Sequence, residues 1–126
     1  MNATITELVT RYVAMWNEPD ASARRAQIAA LWAEDCAHYT PSMEMHGHAA
    51  MEQRVTIAWE KWVRDTGHTF RSCGDADSHH GSVKFHWEMV TAAGEVSSLG
   101  LDFLRLAADG RIASDHQFLE PVVRRG

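Results

Sequence analysis

The spacing of the apolar residues changes for good near His68, and that change restricts the fold more than any single motif. Up to Val63 the large apolar side chains recur mainly at helical intervals, interrupted by a short β-like stretch after Asp35. From His68 onward they alternate with period two, and no convincing helix follows. Helices gathered in the first half and strands in the second define an α+β class, with the helices packed on one face of a curved antiparallel sheet.

The local signals mark where each element begins and ends. Thr4-Ile-Thr-Glu7 has the form of a capping box with Thr4 as N-cap, and Ile5, Leu8, Val9, Tyr12, Val13 and Trp16 then share one helical face. Pro19 closes this helix, because a proline drives the residue before it out of the helical region. Asp20 caps a second helix whose apolar face is Ala23, Ile28, Leu31 and Trp32. Residues 36–39 and 43–45 read as short strands, with Asp35 as a turn residue before them. Residues 49–63 form a third helix, with Met51, Val55, Ala58, Trp59 and Trp62 on its apolar side and Gly67 as its stop. Residues 69–73, 82–91, 95–106 and 111–123 are strands separated by turn signals at Gly74-Asp-Ala-Asp, Ala93-Gly94 and Ala108-Asp-Gly110.

Alternation assigns faces to the long strands. Phe85, Trp87 and Met89 point one way, and Lys84, His86 and Glu88 the other. Gly100, Asp102, Leu104 and Leu106 share a face opposite Leu101, Phe103 and Arg105. Both faces of that strand are largely apolar, so the outer one also needs a partner, and a homodimer through the outer sheet face supplies it. On the last strand two registers are open. If Leu119 faces inward, so do Asp115 and Gln117; if Phe118 does, Asp115 is solvated.

Composition excludes several classes of function. A length of 126 residues fits one domain over 1–126, and 45% hydrophobic with 23% charged residues is globular. The net charge of −5 argues against nucleic acid, since a pair such as Arg124-Arg125 at the C-terminus is not a clustered basic surface. No apolar run spans a membrane and no signal segment is visible. Two cysteines outside any CxxC pair suit a reducing cytoplasm. His46-x-His48 and His79-His80 lack the spacing of a metal site, so no metal is expected. The five Trp, six Met and eight His exceed what a bare structural module needs.

Arg11-Tyr12, Leu31-Trp-Ala-Glu-Asp35, Tyr39-Thr-Pro41, His46-Gly47, Gly100-Leu-Asp-Phe103 and Asp109-Gly-Arg-Ile112 occur in an order that resembles the SnoaL-like branch of the nuclear transport factor 2-like superfamily. The resemblance implies a cone: a strongly bent sheet around three helices, an apolar pocket at the wide end, and usually a dimer. Relatives include ketosteroid isomerase and polyketide cyclases, beside non-catalytic members, so function rests on the pocket residues. Tyr12 and Asp102 look like the tyrosine and protonated acid of the isomerase oxyanion hole. Where that enzyme has its base, this chain has Thr40, whose hydroxyl cannot deprotonate carbon. His38, two residues earlier on the same strand face, or Asp115 would have to serve instead.

Trp16, Trp59, Trp62, Phe85, Trp87 and Met89, with Thr40 and Gln117 as polar points, are expected to line the pocket and hold a small hydrophobic ring compound. Two functions follow. One is a cofactor-independent isomerase, cyclase, lyase or hydrolase working by acid–base chemistry; the other is a non-catalytic ligand-binding or dimerisation module.

Overall fold

A computed structural model describes residues 3–122, so Arg124-Arg125 and the end of the last predicted strand lie outside the described residues. Helix α1 (Ala3–Asn17) buries Ile5, Leu8, Val9, Tyr12, Val13, Met15 and Trp16 along one side. It starts a residue before the expected cap, which puts Thr4 in its first turn. Helix α2 (Ala21–Leu31) is capped as its sequence predicts: the Asp20 carboxylate accepts a hydrogen bond from the Ala23 N–H at 2.8 Å. Such a cap contributes about 1 kcal/mol.

Trp32 does not extend α2. It opens strand β1 (Trp32–Tyr39), which begins four residues before the expected strand and takes in Asp35, exposed on the strand rather than in a turn. The reason is burial: Trp32 is 0% exposed, and its indole N–H points at the Met15 sulfur of α1 at 3.3 Å. Strand β2 (Glu44–His46) pairs antiparallel with β1 and leads into α3 (Gly47–Ala58). A π-helical turn, Trp59–Arg64, continues α3.

The remaining strands are β3 (Thr69–Ser72), β4 (Asp77–His79), β5 (Ser82–Val90), β6 (Val96–Leu106) and β7 (Ile112–Glu120). The sheet runs β2-β1-β7-β6-β5-β3, with β4 also paired to β5. It is mixed, because β1 and β7 are parallel while the other pairs are antiparallel. Irregularities at Trp32/Ala37, Met89/Val90 and Arg105/Leu106 bend it, as β-bulges do. The sheet curves around the three helices without closing. Asn17 ties the end of α1 to β3 by donating to the Phe70 carbonyl at 2.7 Å and accepting from the Phe70 N–H at 2.9 Å.

The face assignments follow the alternation. Phe85, Trp87, Met89, Gly100, Asp102 and Leu104 are buried, while Lys84, Phe103 and Arg105 are exposed. On β7 the open choice falls to the register that faces Asp115 inward, for Asp115 is 0% exposed and Phe118 is 53% exposed. No helix among the described residues is long and apolar enough to cross a membrane.

Candidate active site

Three strands and one helix converge on a buried polar cluster. The register pairs Phe85 with Asp102, Asp102 with Gln117, Leu104 with Asp115, and His38 with Asp115. Alternation then turns Asp102 of β6, Asp115 of β7 and His38 of β1 to the inner face, all at 0% exposure. Tyr12 of α1 reaches down between the two acids. Its hydroxyl lies 2.6 Å from Asp115 Oδ2 and 2.9 Å from Asp102 Oδ2. His38 Nδ1 lies 2.9 Å from the same Asp115 oxygen, and the Trp87 indole N–H donates to Asp102 Oδ1 at 2.6 Å.

Proton counting assigns the states. Tyr12 has one hydroxyl proton for two carboxyl groups, so a second proton is needed on one acid. Asp102 is the acid that carries it. Burial, then the adjacent Asp115 charge and a hydrogen bond to Asp115, raise its pKa well above the usual carboxylate range. The one proton of Asp102 can go to Asp115 or to the Tyr12 oxygen, and either way the Tyr12 O–H is left for Asp115 at the shorter distance. Burial also raises Asp115, to about 6, while hydrogen bonds from Asp102 and Tyr12 and the charge of Arg54 limit the rise. Asp115 is therefore the anion of the cluster at neutral pH. Tyr12 is held well above its ordinary value, first by burial and then by the two acids, so it stays neutral.

His38 contributes a neutral imidazole. Burial lowers its pKa to about 4, and Arg54 adds to the fall against the opposing pull of Asp102. Its Nε2 is buried with no partner. An imidazolium would leave an N–H unsatisfied there, whereas the neutral ring with its proton on Nδ1 leaves only a lone pair. That tautomer donates to Asp115.

A cavity of about 500 Å³ opens above the cluster, between the inner sheet face and the α3 side of the helices. Tyr12, Trp16, Thr40, Trp62, Trp87, Met89 and Gln117 border it. Of the four residues expected to act chemically, only Tyr12 does; His38, Asp102 and Asp115 lie enclosed behind it. Two expected lining residues are elsewhere. Trp59 faces α2, where its ring is covered by the buried Arg24 guanidinium at 4.7 Å and by Arg64 at 5.9 Å. Phe85 is 1% exposed beneath Tyr12, in edge contact at 5.2 Å, and packs the core rather than the cavity. Thr40 sits at the rim, where its hydroxyl accepts the Met43 N–H at 3.0 Å.

Sequence reasoning did not find Arg54 and Lys61, which also border the cavity, or Phe70 from β3. Arg54 flanks the apolar stripe of α3 between Met51 and Ala58, and a charge in that position is the signal that could have revealed it. Trp87 was expected as lining, but its hydrogen bond to Asp102 was not visible without the fold.

His38, Asp102 and Asp115 each offer a ligand atom, all within 4.8 Å of one another. A histidine with two carboxylates is a donor set that divalent cations accept. Here the Trp87 N–H, the Tyr12 O–H and the His38 N–H already point at the carboxyl oxygens, and a cation would have to displace them. Of the histidine pairs weighed in the sequence, His46 Nε2 meets Glu44, His48 Nε2 donates to the Trp32 carbonyl at 2.7 Å, and His79 and His80 are exposed.

The model of the SnoaL-like domain family matches residues 9–115. The chain belongs to the SnoaL-like family. Among solved structures, this SnoaL-like protein is similar to a presumed isomerase of the SnoaL-like family from Agrobacterium tumefaciens, at 27% identity over 95% of this chain and 100% of that one, with a TM-score of 0.88. A presumed polyketide cyclase from Sinorhizobium meliloti shares its fold at 13% identity, covering 89% and 94% of the two chains with a TM-score of 0.68. So does a Catenulispora acidiphila protein of ketosteroid isomerase-like fold, solved with trimethylamine, at 16% identity, 89% and 84% coverage and a TM-score of 0.68. Others of the same fold are described as cystatin-like and nuclear transport factor 2-like. No curated protein matches the chain.

Proposed function

We propose that this SnoaL-like protein is a cofactor-independent enzyme that moves protons on a hydrophobic, ring-containing carbonyl compound. The observation that carries the reading is the position of Tyr12: it borders the cavity, and its hydroxyl ends on a neutral acid and an anionic one. In the proposed step, a substrate C–H proton passes to the Tyr12 oxygen as the Tyr12 proton passes to Asp115. The C–H electron pair becomes the enolate, and the reverse transfer at another carbon completes an isomerisation. The tyrosinate never accumulates, because its formation is opposed by burial and two acids. Asp102 and Trp87 hold the hydroxyl in line, and His38 fixes Asp115; these are positioning residues. Gln117 and Ser98 are the polar points that would orient the carbonyl.

One observation favours a second reading, a non-catalytic pocket protein: the three titratable groups behind Tyr12 are fully enclosed. Solvent-deuterium exchange into a panel of cyclic ketones separates the two. The enzyme reading expects exchange above the buffer rate that falls at least tenfold in Tyr12→Phe, Asp102→Asn and His38→Ala. Exchange no faster than in buffer across the panel leaves only the binding module.

We also place a homodimer contact on the outer sheet face, supported by the cross-strand Leu101–Phe118 pair and by Phe103, exposed at 38%. Light scattering of the purified protein tests it, and a monomer at micromolar concentration refutes it. The unpaired Cys36 and Cys73 fit a reducing cytoplasm.

A further inference from the structure

The charge on the cavity wall narrows the ligand class beyond what the acid cluster says. Arg54 and Lys61 both border the cavity, and no Asp or Glu among the described residues does. Both cations come from one wall, the α3 helix and its π-helical extension. Each lies over an aromatic ring that also borders the cavity: Arg54 is 5.3 Å from the Trp16 centroid, and Lys61 is 4.7 Å from that of Trp62.

Arg54 makes no ion pair among the described residues, and its Nε is buried without a hydrogen-bond partner. A guanidinium carries five donors and cannot shed its proton, so leaving it half-buried and unpaired is costly unless something fills the donors. Of the groups whose charge acts on Arg54, namely Tyr12, Asp102 and Asp115, only Asp115 is the anion of the cluster, and its carboxylate is occupied by Tyr12 and His38 and is closed off from the cavity.

We propose that Arg54, assisted by Lys61 at the rim, is an anion anchor, and that the cavity takes a ring compound bearing a carboxylate or a chemically equivalent anionic group. The proposal rests on the reading that the cavity holds a small ring-containing ligand, and it adds the charge of that ligand. The aromatic rings beneath both cations restrict them to the cavity wall, and a planar guanidinium matches a carboxylate with two parallel hydrogen bonds. The anionic end would then sit against α3, and the rest of the molecule would lie toward Tyr12 across the cavity.

The test compares 2-naphthoate with its methyl ester, two probes of the same ring system that differ in charge at pH 8. Binding is read by calorimetry and by quenching of the cavity tryptophans. The expected result is tighter binding of the naphthoate by tenfold or more, with the preference abolished in Arg54→Gln, reduced in Lys61→Gln and partly kept in Arg54→Lys. If Arg54 served only to offset Asp115, Arg54→Gln would weaken both probes alike, and that outcome overturns the anchor. Equal or tighter binding of the ester to the wild-type protein overturns it as well, while leaving the ring-binding cavity standing. Failure of both probes to bind at millimolar concentration removes the cavity reading and the anchor together. Because none of these readouts needs turnover, they stay separate from the deuterium-exchange test of catalysis.

Discussion

Tyr12→Phe deletes one oxygen and leaves the ring, so it probes the cluster with little repacking. That oxygen donates to Asp115 at 2.6 Å and receives Asp102 at 2.9 Å. Losing a hydrogen bond to a buried charged group costs about 1.5–3 kcal/mol, and a neutral one about 1 kcal/mol. The two states of Asp115 respond differently. Its folded pKa of about 6 exceeds the ordinary 3.8, so the folded protein binds this proton more tightly than the unfolded chain does. Stability from this group is therefore highest below the unfolded value and falls as pH rises through the interval up to about 6.

Removing the Tyr12 donor raises the folded pKa further, by about one to two units at 1.36 kcal/mol per unit, and extends the falling limb upward. The variant should then be destabilised by about 1 kcal/mol where Asp115 is protonated in both proteins, and by about 2–4 kcal/mol at pH 8. Urea unfolding of the two proteins at pH 4.5, 6 and 8 measures the difference, in which other titrating groups largely cancel. A penalty that is constant with pH, or larger in acid, refutes the assignment of the anion to Asp115.

Gly100 faces Trp87 across the β5–β6 pair, and a Cβ there would overlap the indole ring. Gly100→Ala should push Trp87 off Asp102, lower stability by about 1–3 kcal/mol and shift the tryptophan emission; an unchanged melting temperature and spectrum would show that the sheet relaxes around the methyl group. On the outer face, His86 Nε2 meets Glu120 at 2.8 Å and Nδ1 meets Asp75, hydrogen bonds that raise its pKa above 6.5. A raised histidine stabilises the fold fully below its unfolded pKa and loses that contribution as pH climbs through the folded one. The melting-temperature gap between wild type and His86→Gln should therefore shrink from pH 6 to pH 9, and a gap that holds or widens contradicts the clamp.

The fold was legible where side chains report their own surroundings. Ile5 to Trp16 fix the buried face of α1, and Phe85, Trp87 and Met89 fix that of β5, because a period seen in sequence is a surface seen in space. Tyr12 and Asp102 came from resemblance and from strand alternation together. The contact between His38 and Asp115 was hidden, since it depends on β1 and β7 pairing in parallel, and local sequence does not encode which distant strands become neighbours. Trp59 and Phe85 failed as cavity residues for a related reason. An apolar stripe marks burial, but whether it is buried against Arg24, against Tyr12 or against open space is decided by packing. Arg54 was missed because a charge on a helix ordinarily marks solvent, and here it marks the wall of a cavity.

The proton inventory of the buried cluster underlies both the chemistry and the stability argued above. Carboxyl-carbon and imidazole NMR titration of the native protein reads it directly. The account predicts that Asp102 keeps its proton well above the ordinary carboxylate range, that Asp115 ionises near pH 6, and that His38 remains neutral down to about pH 4. Two carboxylates already ionised at pH 5, or an imidazolium at His38 at pH 7, would contradict it.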